Sequence, residues 1–187
     1  ALTGIVYPLA VTALGQALFP LSVAGSLVAG PKGGTAGSAL IGQPFSSDAY
    51  LWPRPSATSG PDPQDPAKSV PAPYNASSSS GSNLGPTSKV LAERLAADVA
   101  RLRGKGLAGP VPGDAVTSSA SGLDPHVSPD YALAQVPRIA AARGAPEAEL
   151  RRMVESLVEG RELGIFGEPR VNVLAVNLAL DARFPRS

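Results

Sequence analysis

The sequence predicts an α+β fold: a small mixed soluble domain with long ordered loops, preceded by one N-terminal transmembrane helix. Three observations lead there. Residues 1–19, ALTGIVYPLAVTALGQALF, carry no charged side chain. Three later stretches repeat apolar residues at helical spacing, and two short apolar runs read as strands. The connections are rich in Pro, Gly and Ser, and twenty glycines plus twenty prolines in 187 residues require much turn and irregular backbone. The expected organisation is an anchor over 1–19 and one domain over 20–187, enough chain for a single core.

As a helix, residues 1–19 would run about 28 Å, close to the hydrocarbon thickness of a bilayer. Leu2, Ile5, Val6, Leu9, Val11, Leu14, Leu18 and Phe19 contribute on the order of −2 to −5 kcal/mol to insertion. Gly4, Pro8, Gly15 and Gln16 oppose them, so the span is marginal. A signal peptide needs a basic flank and a small-residue cleavage pattern, and neither precedes Pro20. A buried core helix and a membrane helix both fit the composition, and the membrane helix fits it better. The chain opens directly in apolar sequence without a methionine, which points to a span that continues upstream. No charged flank is present to apply the positive-inside rule, so orientation does not follow from these residues.

Beyond Pro20 the chain is small and glycine-rich to residue 37. ALIGQPF (39–45) reads as a strand. From Trp52 to Pro86, Pro, Ser, Gly and Asp dominate, and GPDPQDPAKSVPAP (60–73) is too poor in apolar residues to pack, so it is expected as an exposed loop. SKVLAERLAADVARLRG places Leu91, Leu95, Val99 and Leu102 on one helical face, with Ser88 as N-cap and Gly104 as stop. A loop over 104–128 follows. Ser128 caps a helix with Pro129 at its first position, running to Gly144 and kinked or split at Pro137. Another helix begins at Pro146, with Leu150, Met153, Val154, Leu157 and Val158 as its apolar stripe and Gly160 at its end. RVNVLAVNLAL (170–180) reads as a strand.

The chemistry of sites is sparse. A net charge of +1 leaves no electrostatic footprint for nucleic acid. The absence of cysteine excludes a disulfide framework, a thiolate metal site and a cysteine nucleophile. One histidine excludes a His-rich metal cluster. GPKGGTAGS (30–38) lacks the Gly-Lys-Ser/Thr of a phosphate loop, and no GxGxxG, HExxH or GxSxG occurs. His126, in LDPHVSP, fits a turn before a helix better than a catalytic base. Glu147 and Glu149 fit the first turn of a helix, where the dipole favours acids. Asn75-Ala76-Ser77 has the form of a glycosylation acceptor, relevant only in a eukaryotic secretory setting.

The blocks TGIVYPL (3–9), FP (19–20), AGSL (24–27), GSALIGQPF (37–45), RPSAT (54–58), YNA (74–76) and GSNLGPT (81–87) stand in an ordered series. It continues with VTSSASGLDPHVSP (116–129), QVPRIAAARG (135–144) and LGIFGEPRVNVLAVNLALD (163–181). In this order they resemble the C subunit of Kdp-type potassium-transporting ATPases, over essentially the whole chain. Two departures from that pattern are the length of the 60–73 insert and the missing N-terminal part of the membrane helix.

The resemblance implies a non-catalytic accessory subunit of a high-affinity, ATP-driven potassium uptake pump, single-pass in a bacterial or archaeal membrane, with an extracytoplasmic domain. Its partners would be a potassium-selecting channel-like subunit, a P-type ATPase subunit and membrane lipid. The chain lacks both the Asp-Lys-Thr-Gly-Thr phosphorylation sequence and a TVGYG-like filter. Two roles follow: support of assembly, and the catalytic-chaperone role of raising the ATP affinity of the ATPase subunit through a transient ternary complex. No cofactor is expected to be held tightly, and ATP enters only through the ATPase subunit. For the second role the resemblance assigns nucleotide contact to Gln135. Arg54, Asn83, Asp124 and Arg138 are the expected partner contacts. A free soluble binding protein is the remaining class, and it requires residues 1–19 to fold back as a core helix.

Overall fold

A computed structural model describes residues 1–31 and 33–185. The chain divides into two compact units, Ala1–Leu40 and Ile41–Ser187, a boundary later than the helix end at residue 19 from which the sequence reading started its domain.

In the first unit, most of the span expected over 1–19 is helical, from Leu2 to Leu18, with a change of hydrogen-bond pattern near its start. Leu2–Val6 forms a π turn and α1 covers Tyr7–Leu18, 12 residues. Pro8 has no N–H to give to the ladder, and ahead of it the Ala1 carbonyl accepts from both the Ile5 N–H at 2.8 Å and the Val6 N–H at 3.3 Å. Thr12 donates its hydroxyl to the Pro8 carbonyl at 2.8 Å. No helix among the described residues is long and apolar enough to cross a membrane. Phe19 leaves helical geometry, Pro20 starts the short α2 (Pro20–Val23), and β1 (Leu27–Ala29) pairs antiparallel with β2 (Thr35–Ser38). Every large apolar side chain from Leu2 to Val23 is exposed, Leu2 at 72% and Leu21 at 78%.

The second unit starts at Ile41, within the stretch expected as a strand. Residues 39–45 form no strand. The chain is irregular past Gly42, where a Cβ would lie 2.4 Å from the Tyr74 ring and 2.7 Å from the Asp124 carbonyl oxygen. The tight crossing replaces a ladder. The 60–73 loop is a hairpin: β3 (Ser59–Pro61) pairs with β4 (Ser69–Pro71), and its tip is closed by Asp62 and Asp65 turns. Prolines are tolerated there because both strands are edges.

Helix α3 (Lys89–Gly104) starts as expected, with the Ser88 hydroxyl accepting from the Leu91 N–H. It runs through Gly104, and the left-handed turn falls at Gly106 instead. The following loop contains a 3-10 turn (Gly113–Ala115) and β5 (His126–Val127). Ser128 caps α4 (Pro129–Ala134), which is separated from α5 (Val136–Arg143) at Gln135, one residue before the position Pro137 restricts. Gly144 closes α5 at φ +61.

Helix α6 (Glu147–Ser156) carries Glu147 and Glu149 in its first turn. It stops before the end of the expected stripe: Leu157 is its cap and Val158–Glu159 is β6. Segment 170–180 is a strand only over β7 (Arg170–Asn172). The Asn172 carboxamide then accepts from the Ala175 N–H and starts α7 (Val173–Arg183). An N-capping Asn overrides the apolar run that looked like a strand.

The strands assemble in the order β5-β7-β6, all antiparallel, with Val171 of the central strand opposite Val127 and Val158. The core joins Val171 to Tyr131, Ile139, Leu150, Val154, Val176 and Leu180, each buried to 1% exposure or less.

Candidate functional site

The first assembly of interest surrounds residues 47–52, a stretch without a strand partner. Residues 47–50 make a turn, closed by the Tyr50 N–H on the Ser47 carbonyl at 3.1 Å, and beyond it Leu51 and Trp52 present their N–H and C=O groups to two different side chains. Leu51 donates its N–H to Asn177 Oδ1 at 2.8 Å and accepts from Asn177 Nδ2 at 3.0 Å. Trp52 does the same with Gln135, at 2.8 and 3.1 Å. Two buried carboxamides thus stand in for two neighbouring strands.

The preceding carbonyls are met by arginines. Arg138 donates to the carbonyls of Asp48 and Tyr50, and Arg143 to that of Ala49. The Ser47 carbonyl accepts from the Trp52 indole N–H. Six consecutive carbonyls are satisfied by five side chains: Gln135 between α4 and α5, Arg138 and Arg143 on α5, Asn177 on α7, and Trp52 of the segment itself. A buried, unpaired carbonyl is costly, so this clamp is what lets an irregular segment cross the core.

The arginines also hold aromatic rings. The Arg138 guanidinium carbon sits 3.7 Å from the Trp52 ring centroid, and that of Arg143 5.0 Å from Tyr50. The Arg143 side chain is wholly buried and pairs with Asp181 at 2.9 Å, while Asp181 accepts from the Tyr50 hydroxyl. Burial depresses the Arg138 pKa to about 10 and pushes that of the neighbouring Tyr131 phenol up to about 12.

The second assembly is a polar web built from the RPSAT, YNA and SGLDPH blocks. Ser56 donates to the Gly122 carbonyl and accepts from the Tyr74 N–H. Thr58 donates to the Ala72 carbonyl and accepts from the Asn75 N–H. Tyr74 donates its hydroxyl to the Arg54 carbonyl at 2.6 Å, and Asn75 donates to Ser59. Gly122 has φ +67, and a Cβ there would lie 2.5 Å from Thr58 Cγ2 and 2.6 Å from the Ser80 carbonyl oxygen. Only glycine closes this crossing. Burial, with the Asp124 charge adding to it, raises the Tyr74 pKa.

Arg54 and Asp124 form an ion pair at 2.9 Å, with side chains about a quarter exposed. Asp124 also accepts from the backbone N–H of His126 at 2.9 Å. Burial alone would raise its pKa. The hydrogen bonds from His126 and Arg54 outweigh burial and hold the carboxyl below its ordinary value. Arg54 lines two clefts: one of about 400 Å³ with Phe45, Trp52 and Tyr74, and one of about 310 Å³ with Asp114, His126 and Arg170. Its Nε has no acceptor among the described residues.

The five residues singled out from the sequence therefore fall in different settings. Gln135 is 1% exposed, with its oxygen shared between Trp52 and Arg138 and its nitrogen on Trp52. Arg138 is committed to the same clamp. Arg54 and Asp124 pair with each other at the rim of the two clefts. Asn83 is exposed, in the left-handed region at φ +51. His126 lies in β5, within 3.6 Å of Asp124 and 3.9 Å of Glu159. Sequence reading missed Trp52, Arg143 and Asn177. One signal was available: in a helical reading of 173–180, Asn177 falls inside the stripe Val173, Val176, Leu180, where a polar side chain needs a buried partner.

The family described as K+-transporting ATPase, c chain (KdpC), matches residues 1–182. A potassium-transporting ATPase KdpC subunit of Methylobacterium nodulans is 60% identical over 180 residues, covering 96% of this chain and 89% of that protein. The same subunit of Rhodopseudomonas palustris is 57% identical over 186 residues (99% and 92%), and that of Methylorubrum populi 58% over 181 (97% and 90%). The chain belongs to the KdpC family, the c-chain subunits of the membrane-associated potassium-transporting ATPase complex.

Proposed function

We propose that this chain is a non-catalytic accessory subunit that supports assembly and stability of the pump. Its N-terminal helix is embedded in the bilayer against the potassium-selecting, channel-like subunit, and its second unit lies outside the cytoplasm beside that partner and the P-type ATPase subunit. The observation that carries this reading is the surface of residues 2–23. A helical stretch whose large apolar side chains are all exposed is covered in its working state by lipid or by another helix. The π turn and α1 together run about 25 Å, near the hydrocarbon thickness of a bilayer. Gly4, Ala10, Ala13, Gly15 and Ala17 permit close helix approach. On the second unit, Arg54, which lines two clefts, and the exposed Asn83 are the contacts we favour.

The test is deletion of residues 1–19 followed by purification of the complex. Loss of this chain from the complex is expected, and an intact complex overturns the reading. Protease applied from the outer face should cut the 60–73 hairpin, whereas cleavage only from the cytoplasmic face reverses the topology.

The chaperone role, with Gln135 on nucleotide, requires that side chain to release Trp52 and Arg138. Its burial weighs against this. Replacement of Gln135 separates the two: a clamp residue alters melting and leaves the apparent ATP affinity of assembled pump unchanged. A nucleotide contact alters that affinity at unchanged melting.

A further inference from the structure

The cleft of about 400 Å³ beside Arg54 has stiff apolar walls. Pro44, Pro53, Pro55 and Pro73 line it with the rings of Phe45, Trp52 and Tyr74. Proline has no freedom at φ, and Trp52 is fixed by Gln135 and by the Arg138 guanidinium, so this surface is formed before anything binds. Tyr131 lines the same cleft and is 1% exposed. Its backbone N–H bonds to the Ser128 hydroxyl, but its phenol oxygen has no hydrogen-bond partner among the described residues. A buried tyrosine hydroxyl ordinarily finds one. Nor is this oxygen sealed in: the sealed, unpartnered side-chain atoms are Asp48 Oδ1, Arg54 Nε and Arg94 Nε. The phenol therefore opens on the cleft, near the charges of Arg101 and Asp98, and burial keeps it protonated as a donor.

The remaining polar groups say what this donor is for. Arg101 gives Nε and Nη2 to Asp98, and Lys105 pairs with Asp48 at 3.0 Å. Arg54 pairs with Asp124. Each cation of the cleft thus faces a carboxylate, which leaves no net charge to hold a free anion. Donors are nonetheless in surplus, since the Tyr131 hydroxyl, Arg101 Nη1 and the Lys105 ammonium have protons to give. Acceptors are in use. The Trp52 carbonyl is taken by Gln135 and the Arg54 carbonyl by Tyr74, while Ser56 Oγ accepts from the Tyr74 N–H. A complementary ligand is uncharged and apolar, rich in acceptors and poor in donors. A proline-rich chain has that chemistry: its carbonyls are free, its proline nitrogens carry no hydrogen, and its polyproline II backbone makes no internal hydrogen bonds. Aromatic-lined grooves bind such segments at a low ordering cost.

From this geometry we infer that the cleft binds an extended, proline-rich segment of a partner protein in polyproline II conformation. One of its carbonyls accepts from the Tyr131 hydroxyl, and its proline rings pack on Phe45, Trp52 and Tyr74. A second copy of this chain would bring its own proline-rich stretch, residues 60–73, whose flanks are already paired as the β3–β4 hairpin. Self-association is therefore a separate outcome of the test.

Trp52 is the only tryptophan of the chain, so its emission reports on the cleft directly. The full chain in detergent is titrated with acetylated, amidated decaproline, and a saturable change in that emission is expected. Tyr131→Phe removes the unpartnered hydroxyl alone. It should weaken decaproline roughly threefold to tenfold and leave the melting temperature unchanged. No saturable change, or equal binding by the variant, overturns the inference, and a lowered melting temperature makes the hydroxyl structural and does the same. Saturation by inorganic phosphate or hexaglutamate in place of decaproline would make this an anion site. Sedimentation of the chain alone reads the remaining case: self-association that decaproline reverses assigns the cleft to a second copy and sinks the proposal. Binding is measured on the isolated chain, so its failure leaves the accessory-subunit reading to be judged by the 1–19 deletion.

Discussion

Residues 47–52 and residues 161–168 are both irregular, and both lack the support of a full sheet, yet they solve opposite problems. The first segment runs through the core with its polar backbone turned toward Gln135, Asn177, Arg138 and Arg143. The second closes its backbone on itself and turns its apolar side chains outward. In one, side chains serve the backbone; in the other, the backbone serves the side chains. Absence of regular secondary structure therefore says little about rigidity. It says that the hydrogen-bond partners have to be found elsewhere.

The largest effect expected from breaking this contrast is at Arg143. Arg143→Ala leaves Asp181 without its cationic partner and removes donors from the carbonyls of Ala49, Leu180 and Phe184. Because the side chain is fully buried, a loss of about 3–5 kcal/mol is expected in urea denaturation. Gln135→Ala and Asn177→Ala come next, each expected to cost about 2–3 kcal/mol through an orphaned backbone pair and a small cavity. The two residues clamp adjacent backbone units, so a double-mutant cycle should show coupling of about 0.5 kcal/mol or more. Additive losses would mean that the carboxamides act separately.

A smaller effect concerns pH. The folded pKa of Asp124 lies below its unfolded value of 3.8, so the charged form is favoured in the native state. Its stabilisation is complete above that unfolded value and is lost as the pH falls through the lower folded value. Asp124→Asn should remove that acid-limb component and lower stability near neutrality by about 1 kcal/mol, discounted for partial exposure. A wild-type acid limb retained in the variant would assign it to other carboxylates. The smallest effect is at the 161–168 turn. Leu163→Ser should shift stability by less than about 0.5 kcal/mol, since exposed surface positions contribute little. A large loss there would make the turn part of the core and erase the contrast.

Much of the helical architecture was legible from local signals. Ser88 and Ser128 cap their helices through their own hydroxyls, Pro129 sits at a first position, and Gly144 closes in the left-handed region. These are decisions made within four residues. The segment at 39–45 was misread because distant residues decide it; 60–73 is exposed as expected but pairs as a hairpin, and 170–180 is strand only to Asn172. Gly42 is fixed by Tyr74 and Asp124, and the run after Asn172 becomes helix once that residue caps it. Arg54 and Asp124 were legible as polar residues in ordered loops, but not as each other's partners, since seventy positions separate them. Gln135 was noticed by resemblance alone. Its bonds to Trp52 cross 83 positions and leave no periodic trace.

The clamp also sets an order of events during synthesis. Its recipient segment leaves the ribosome early, but Gln135, Arg138 and Arg143 follow far later, and Asn177 is 126 residues beyond Leu51. Contacts of such separation form slowly, because a long loop must close before anything is gained. For most of translation, then, Leu51 and Trp52 are apolar residues whose backbone groups are still bonded to water. The domain becomes complete only when its final helix has emerged, so a chain cut short by a dozen residues loses the part that holds its own beginning in place.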